Sequence, residues 1–323
     1  MKKVLVSGIQ PSGTLHIGNY FGAIKQFVDL QDAYDSRIII VDLHALTTVQ
    51  DREKLSQGTL EIAMDYLAAG LDPAKVIIFK QSDLPYVTEL TWYFNCITTV
   101  AYLERATAYK DAHMKAKEVT MGLFDYPLLM TADILIHDAD IVPVGADQKQ
   151  HIEYARDTAQ KFNNIFGETF KMPEPMILET VAIVPGTDGR KMSKSYGNII
   201  PLFGSDEEIK KAVMSIVTDS KTPEEPKDPE TCNIFALHKL FLNNEDIGTL
   251  RKRYQDGGIG YKESKDMLAS EIISYISPLR ERRKKYENDP DLVRQILREG
   301  AHKAKVFMDA KMTEVRDKIG VNL

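Results

Sequence analysis

The chain has 323 residues, 43% of them hydrophobic and 27% charged, with a formal net charge of −6. That is enough chain for two domains and a sizeable core, in the ordinary range of globular proteins. Two cysteines exclude a disulfide framework, no CxxC or HExxH spacing suggests a structural metal, and no apolar run approaches the ~20 residues of a membrane span.

The acidity lies in residues 1–203, with 25 acidic against 19 basic side chains, whereas 204–323 carry 22 of each. Met1-Lys2-Lys3 precede only three aliphatic residues, too few for the apolar core of a signal peptide, so a cytoplasmic protein is expected.

In chain order, Val4–Val6, Ile38–Val41, Val76–Phe79 and Ile141–Val144 read as buried strands. Between them, 17–33, 51–70, 85–104 and 147–163 have helical spacing; Ile17, Tyr20, Phe21, Ile24, Phe27 and Val28 illustrate it. Continuous apolar strands separated by helices predict an α/β fold, a Rossmann-like doubly wound parallel sheet with both faces covered. Ligands of such folds bind at the carboxyl ends of the strands. After residue 200 the strand runs stop. Ser205 followed by acids is an N-cap signal, and 233–243, 245–255, 262–286, 289–308 and 310–319 all read as helices. The division expected is a Rossmann-like domain over 1–200, a helical domain over 201–290 and C-terminal helices over 291–323, placed so that they can pack back on the first domain.

Two stretches concentrate unusual residues. "SGIQPSGTLHIGNYFGA" (7–23) is a glycine-rich strand-to-helix junction, but neither a Gly-x-Gly-x-x-Gly turn nor a P-loop. Its glycines suit either a tight turn or a phosphate cradle. His16 suits either a capped core histidine or, with Asn19, a pair of neutral donors where the helix dipole favours an anion. "VPGTDGRKMSKSYGN" (184–198) is a basic loop punctuated by Pro185, Gly186 and Gly189 and expected to be mobile.

Further on, Asp133 sits among Leu128, Leu129, Met130, Ile134, Leu135 and Ile136. A carboxylate there needs a donor, either an internal one or one arriving with a ligand. A ligand with a single N–H or O–H donor would suit it, so this acid alone does not say which ligand binds. Asp147, in Val144-Gly145-Ala146-Asp147-Gln148, reads equally as a helix cap. The basic clusters Arg251–Arg253 and Arg280–Lys285 read as solvated helix faces or as a patch for nucleic acid.

The pair His16-Ile17-Gly18-Asn19 and, about 175 residues later, Lys191-Met192-Ser193-Lys194-Ser195 resembles the two signatures of class I aminoacyl-tRNA synthetases. "YPLLMTADIL" and "DIVPVGADQKQHIE", in order and spacing, narrow the resemblance to the tryptophanyl family over nearly the whole chain. That resemblance implies ATP-dependent attachment of L-tryptophan to tRNA(Trp) through an adenylate, with Mg²⁺ carried on ATP. A tyrosyl-tRNA synthetase and an RNA-binding relative without catalysis are the alternatives. It implies catalytic roles for His16, Asn19, Lys191 and Lys194. It implies ATP contacts at Gln10, Pro11, Ser12, Gly18, Asn19, Gly145, Ala146, Asp147, Ile183, Lys191, Met192, Ser193, Lys194 and Ser195. Asp133, Gln148, Tyr126, Met130, Val142 and Val144 would hold tryptophan, and His44 either joins them or is a core histidine. The helical domain with its basic clusters would read the anticodon. The family is homodimeric, and 90–103 is either an interface or a core helix. Some members carry an iron–sulfur cluster; two cysteines cannot supply four thiolates, so none is expected here.

Overall fold

The structure, a computed structural model, describes residues 2–11, 13, 15–114, 118–145, 149–177 and 184–322, with the backbone alone at 108 and 111–113. Strands β1 (Val4–Ile9), β2 (Asp35–Ile40), β3 (Ile77–Lys80), β4 (Ile141–Pro143) and β5 (Glu174–Met176) form one sheet in the order β3-β2-β1-β4-β5. All pairs are parallel, with Leu5 facing both Ser36 and Ile141. The α/β class expected from the sequence is therefore the class observed, and the order reverses between β1 and β4, where such sheets bind ligands.

The strand set differs from the reading of the sequence in two places. β1 runs on through Ser7, Gly8 and Ile9, which pair with Ile38, Ile39 and Ile40. Gly8 has to be bare, since a Cβ there would lie 2.1 Å from the Ile39 carbonyl oxygen. β5 was not expected: it is three residues at the sheet edge, and its Pro175 is tolerable only in such a position.

The first crossover starts with α1 (Ile17–Asn19), continues as a π-helical turn over Tyr20–Ile24, and ends in α2 (Lys25–Leu30). The sequence showed one regular helix here. The wide turn buries Tyr20 and Ile24 while Gly22 and Ala23 are turned toward a cavity. α3 (Asp42–Ala45) and α4 (Arg52–Ala69) lead to β3. α5 (Tyr86–Ile97), α6 (Val100–Leu103), α7 (Thr107–Met114) and α8 (Met121–Leu135) lead to β4, and α9 (Lys149–Phe166) to β5.

The rest is helical: α10 (Asp206–Met214), α11 (Asn233–His238), α12 (Asn244–Asp256), α13 (Tyr261–Asn288) and α14 (Pro290–Ile319). α14 is one continuous helix where two were expected. Its Ala301, Ala304, Met308, Met312 and Val315 share a buried core with Val6, Ile39 and Phe79. Gly300 lets it cross β3 closely, since a Cβ there would stand 1.8 Å from the Ile78 carbonyl oxygen. Glu89 on α5 clasps its far end, accepting from Arg316 Nε at 2.7 Å and Nη2 at 2.5 Å. Leu268, Ile272 and Ile276 of α13 lie in the same core as Leu5, Ile38 and Met192.

One expectation is corrected here. Arg280, Arg282 and Arg283 do not form a free basic patch. Arg283 Nε donates to Asp65 Oδ1 on α4 at 2.6 Å, and Arg282 Nε donates to the Ala68 carbonyl at 2.7 Å. Arg280 binds Asp206 and the Gly204 carbonyl. These arginines are committed to the chain's own α4 and the start of the helical region. Arg251 and Arg253 are likewise paired, with Glu230 and Glu263. Among the described residues no helix is long and apolar enough to cross a membrane.

Candidate active site

The carboxyl ends of β1, β2 and β4 open onto a cavity of about 610 Å³. β1 contributes Ser7, Gly8 and Ile9, followed by Gln10; β4 contributes Val142 and Pro143, followed by Val144 and Gly145. α8 presents Tyr126, Met130 and Asp133 on one face, four and three residues apart, as its periodicity requires. Pro127 within α8 removes one backbone donor, and Thr131 Oγ1 donates to the Pro127 carbonyl at 2.8 Å. His44 reaches in from α3. Thus Gln10, His44, Tyr126, Met130, Asp133, Val142, Val144 and Gly145 come together, although the sequence scatters them over 135 positions from Gln10 to Gly145. Ser12, Ala146, Asp147, Gln148 and Ile183 lie outside the described residues.

Asp133 is buried, and it is not waiting for its first donor. His44 Nε2 lies 2.9 Å from Oδ2, and Gln81 Nε2 donates to Oδ1 at 2.8 Å and to Oδ2 at 2.9 Å. A carboxylate only accepts, so the His44 proton belongs on Nε2. The internal donors are the ones the structure shows, and the same carboxylate lines the cavity. A ligand lacking an N–H would therefore not leave the acid wholly unpaired. Tyr126 completes the wall, its hydroxyl 2.8 Å from His151 Nε2.

The two signatures meet beside this cavity. The backbone at 15–17 runs against 200–202, with Ile17 N donating to the Ile200 carbonyl at 3.0 Å and Leu202 N to Leu15 at 2.9 Å. His16 caps α1: its Nδ1 accepts from Asn19 N at 3.3 Å, while its own N–H donates to Asn19 Oδ1 at 3.2 Å. The capping bond places the imidazole proton on Nε2, leaving a neutral N–H donor. Burial, and then the charge of Lys194, push the His16 pKa down to about 4, so the ring is neutral at pH 7. Asn19 Oδ1 is occupied by this bond, so the amide N–H groups are what its side chain has left to offer. Of the two expectations for His16, the structure shows the capped histidine, with Nε2–H left as a donor. Gly18 is bare because a Cβ would sit 2.9 Å from His16 Nδ1 and 3.2 Å from Met192 Cβ.

Lys194 Nζ lies over Gly13, 3.7 Å from where a Cβ would be. Burial lowers its pKa, and the Asp65 carboxylate opposes that shift. The Met192 side chain is buried in the core, whereas Lys191 is exposed. Ser193 and Ser195 hydroxyls are 2.9 Å apart. Asn198, which carries no motif of its own, links the two arms of this loop. Its Oδ1 accepts from Ser193 N at 2.7 Å; its Nδ2 donates to Asp188 Oδ1 at 2.6 Å and to the Lys191 carbonyl at 3.1 Å. Gly186 is required there, because a Cβ would fall 2.2 Å from Asn198 Nδ2. Asp65 and Gln81 were also missed, since a lone acid and a glutamine after a strand carry no motif; Arg283 was noticed as part of a basic run, but not its partner.

A parallel sheet with a switch point at β1/β4, a histidine-capped phosphate-type junction and a lysine loop joined to it define the catalytic domain of a class I aminoacyl-tRNA synthetase. Comparison with known proteins agrees. Residues 2–277 match the family model for tRNA synthetases class I (W and Y). The tryptophan–tRNA ligase of Fusobacterium nucleatum is 50% identical over 99% of this chain and 98% of its own length. That of Rhodopirellula baltica is 48% identical over 98% and 99%. The crystal structure of tryptophanyl-tRNA synthetase from Campylobacter jejuni, complexed with ADP and tryptophan, superposes with a TM-score of 0.93 at 48% identity, over 98% of this chain and 99% of that one. The chain belongs to the tryptophan–tRNA ligase family.

Proposed function

We propose that the chain activates L-tryptophan with ATP, releasing pyrophosphate, and transfers the aminoacyl group from the adenylate to the terminal ribose of tRNA(Trp). The observation that carries this reading is the meeting of His16, Asn19 and Lys194 beside a cavity floored by Asp133. The first step needs no protein nucleophile, because the attacking carboxylate is already ionised. The protein's contribution is positioning and charge stabilisation. His16 Nε2–H and the Asn19 amide donate to the α-phosphate as charge develops; Lys191 and Lys194 hold the departing pyrophosphate. Gln10, Pro11, Ser12, Gly18, Gly145–Asp147, Ile183 and the 191–195 loop contact ATP, and Gln148 faces the amino acid. Mg²⁺, a hard cation that favours oxygen ligands, would arrive on the phosphate oxygens of ATP.

Residues 1–200 form the catalytic unit, 201–290 take the anticodon arm, and 291–323 complete the catalytic unit by covering β3. The protein acts in the cytoplasm as a homodimer. Supporting the dimer is a surface with Trp92 66% and Met121 75% exposed, next to Asp125, whose buried Oδ1 has no hydrogen-bond partner among the described residues. Relatives in this family are tryptophan ligases, so the tyrosyl alternative is not favoured. Pyrophosphate exchange with tryptophan, and with tyrosine as control, tests the reading. Exchange supported by tyrosine, or tRNA binding without exchange, would overturn it.

A further inference from the structure

Asp133 owes its orientation to a residue that has no place in either signature. Gln81 follows β3 in a single 3₁₀ turn, Gln81–Asp83, and is 1% exposed. Its Nε2 bonds both Asp133 oxygens, while its Oε1 accepts from Leu43 N at 3.1 Å. The Leu43 N–H decides which way the amide points. Turned over, the amide would set Oε1 against the carboxylate and Nε2 against a backbone donor, two repulsions in a dry site.

We propose that Gln81 is a positioning residue for tryptophan selection, fixing the plane of the Asp133 carboxylate so that Oδ1 is the oxygen offered to the indole N–H. This rests on the reading of the cavity as the tryptophan pocket. Oδ2 already accepts from both His44 and Gln81, whereas Oδ1 accepts from Gln81 alone. A carboxylate has about four acceptor sites, so the remaining in-plane site belongs to Oδ1. The choice of a neutral amide also matters. An arginine or lysine at this place would hold the acid equally well but neutralise it, and the charge-assisted bond to the ligand would weaken. Glutamine orients the carboxylate and leaves its charge for the substrate.

The test uses the full chain with Gln81→Met, Gln81→Glu and Asp133→Asn, measuring KM for tryptophan, KM for ATP and kcat in pyrophosphate exchange from pH 6 to 8.5. Gln81→Met keeps the volume and removes the donor; tryptophan KM should rise on the order of tenfold, the size of one lost hydrogen bond to a charged group, with ATP KM unchanged. In Gln81→Glu the introduced carboxyl can share a proton with Asp133 at low pH and replace the amide N–H; once that proton is lost, two carboxylates face each other. Its tryptophan KM, relative to the unmodified protein, should be near one at pH 6 and rise on the order of tenfold by pH 8.5. If Gln81→Met does not fold, the pH dependence of Gln81→Glu decides alone. Tryptophan KM within twofold of the parent throughout the pH range would overturn the proposal. So would a pH-independent loss in which both KM values and kcat change together with thermal stability. An unchanged tryptophan KM in Asp133→Asn would instead overturn the pocket reading, and this inference with it.

Discussion

Removing the Arg283 guanidinium should destabilise the protein more at pH 8 than at pH 6. Asp65 is 4% exposed, and burial pushes its carboxyl up to about 6 even with Arg283 opposing the shift. The folded state thus holds the Asp65 proton more tightly than the unfolded chain, whose carboxyl titrates near 3.8. The contribution is fully present below that lower value and is lost as pH rises through the folded pKa. In Arg283→Met the opposing charge is gone and the folded pKa climbs further. Above pH 6 the parent has no more to lose at this group, while the variant loses about 1.4 kcal/mol per pH unit until it reaches its own new value. If that value exceeds 8, the destabilisation grows by about 2.7 kcal/mol between pH 6 and 8. To this is added a pH-independent loss of about 1 kcal/mol for the hydrogen bond and the packing of Arg283 over the Phe203 ring. Thermal unfolding reads the difference: at about 2 °C per kcal/mol for a chain of this size, Tm should fall roughly 5 °C further at pH 8 than at pH 6. The double variant Asp65→Asn with Arg283→Met should show no such pH dependence. An equal loss at both pH values would refute the reasoning. Loss of tRNA charging with unchanged Tm and unchanged exchange would return the arginine cluster to an RNA-facing role.

Lys194→Ala should lower adenylate formation about 10²–10³-fold while leaving tryptophan binding, followed by equilibrium dialysis, within twofold; equal losses in both would contradict its place over the phosphates. Gly300→Ala drives a Cβ to within 1.8 Å of the Ile78 carbonyl oxygen, a backbone contact that neither partner can relieve cheaply, so α14 must shift from β3. A destabilisation of several kcal/mol is expected, and a Tm within a degree of the parent would show that the crossing is looser than described. His16 should remain neutral until about pH 4, so its ring signals in NMR should not titrate near 6.5. Because its folded pKa is depressed, its contribution to stability is full above 6.5 and falls as the pH drops toward 4; a midpoint near 6.5 would remove the neutral-donor argument.

What could be read in the sequence was whatever is local or periodic. Four strands announce themselves as short aliphatic runs because a parallel sheet buries both faces. β5 could not be seen: three residues with a central proline have no pattern of their own, and their pairing is dictated by β4. The two signatures were legible as motifs, but their contact was not, since it depends on Ile200–Leu202 running back along Leu15–Ile17. The Asp133 argument went half way. An acid in an apolar helix signals a need for donors, yet His44 and Gln81 stand 89 and 52 residues away; the resemblance offered His44 as a pocket or core residue, and no local pattern marked Gln81. The "RERRKK" run shows the same limit from the other side. Charge alone suggested solvent or RNA, and the outcome was a third option, arginines spent on the protein's own buried acid and carbonyl.

That third option ties the helical tail to the chemistry. Arg283 of α13 is bonded to Asp65 of α4, and Asp65 is also the carboxylate whose charge favours the protonated Lys194. Arg280 grips Gly204 and Asp206, and Arg283 covers Phe203, all just beyond the strand-like segment that binds the lysine loop to His16. Burying an ammonium is costly, and the Asp65 carboxylate opposes the pKa drop that burial imposes on Lys194. On the function proposed above, a carboxylate already engaged by an arginine would lower the cost of burying Lys194 and remain a poorer partner than an incoming polyphosphate. The acid that opposes the pKa drop of Lys194 is thus itself bonded to α13 of the helical tail.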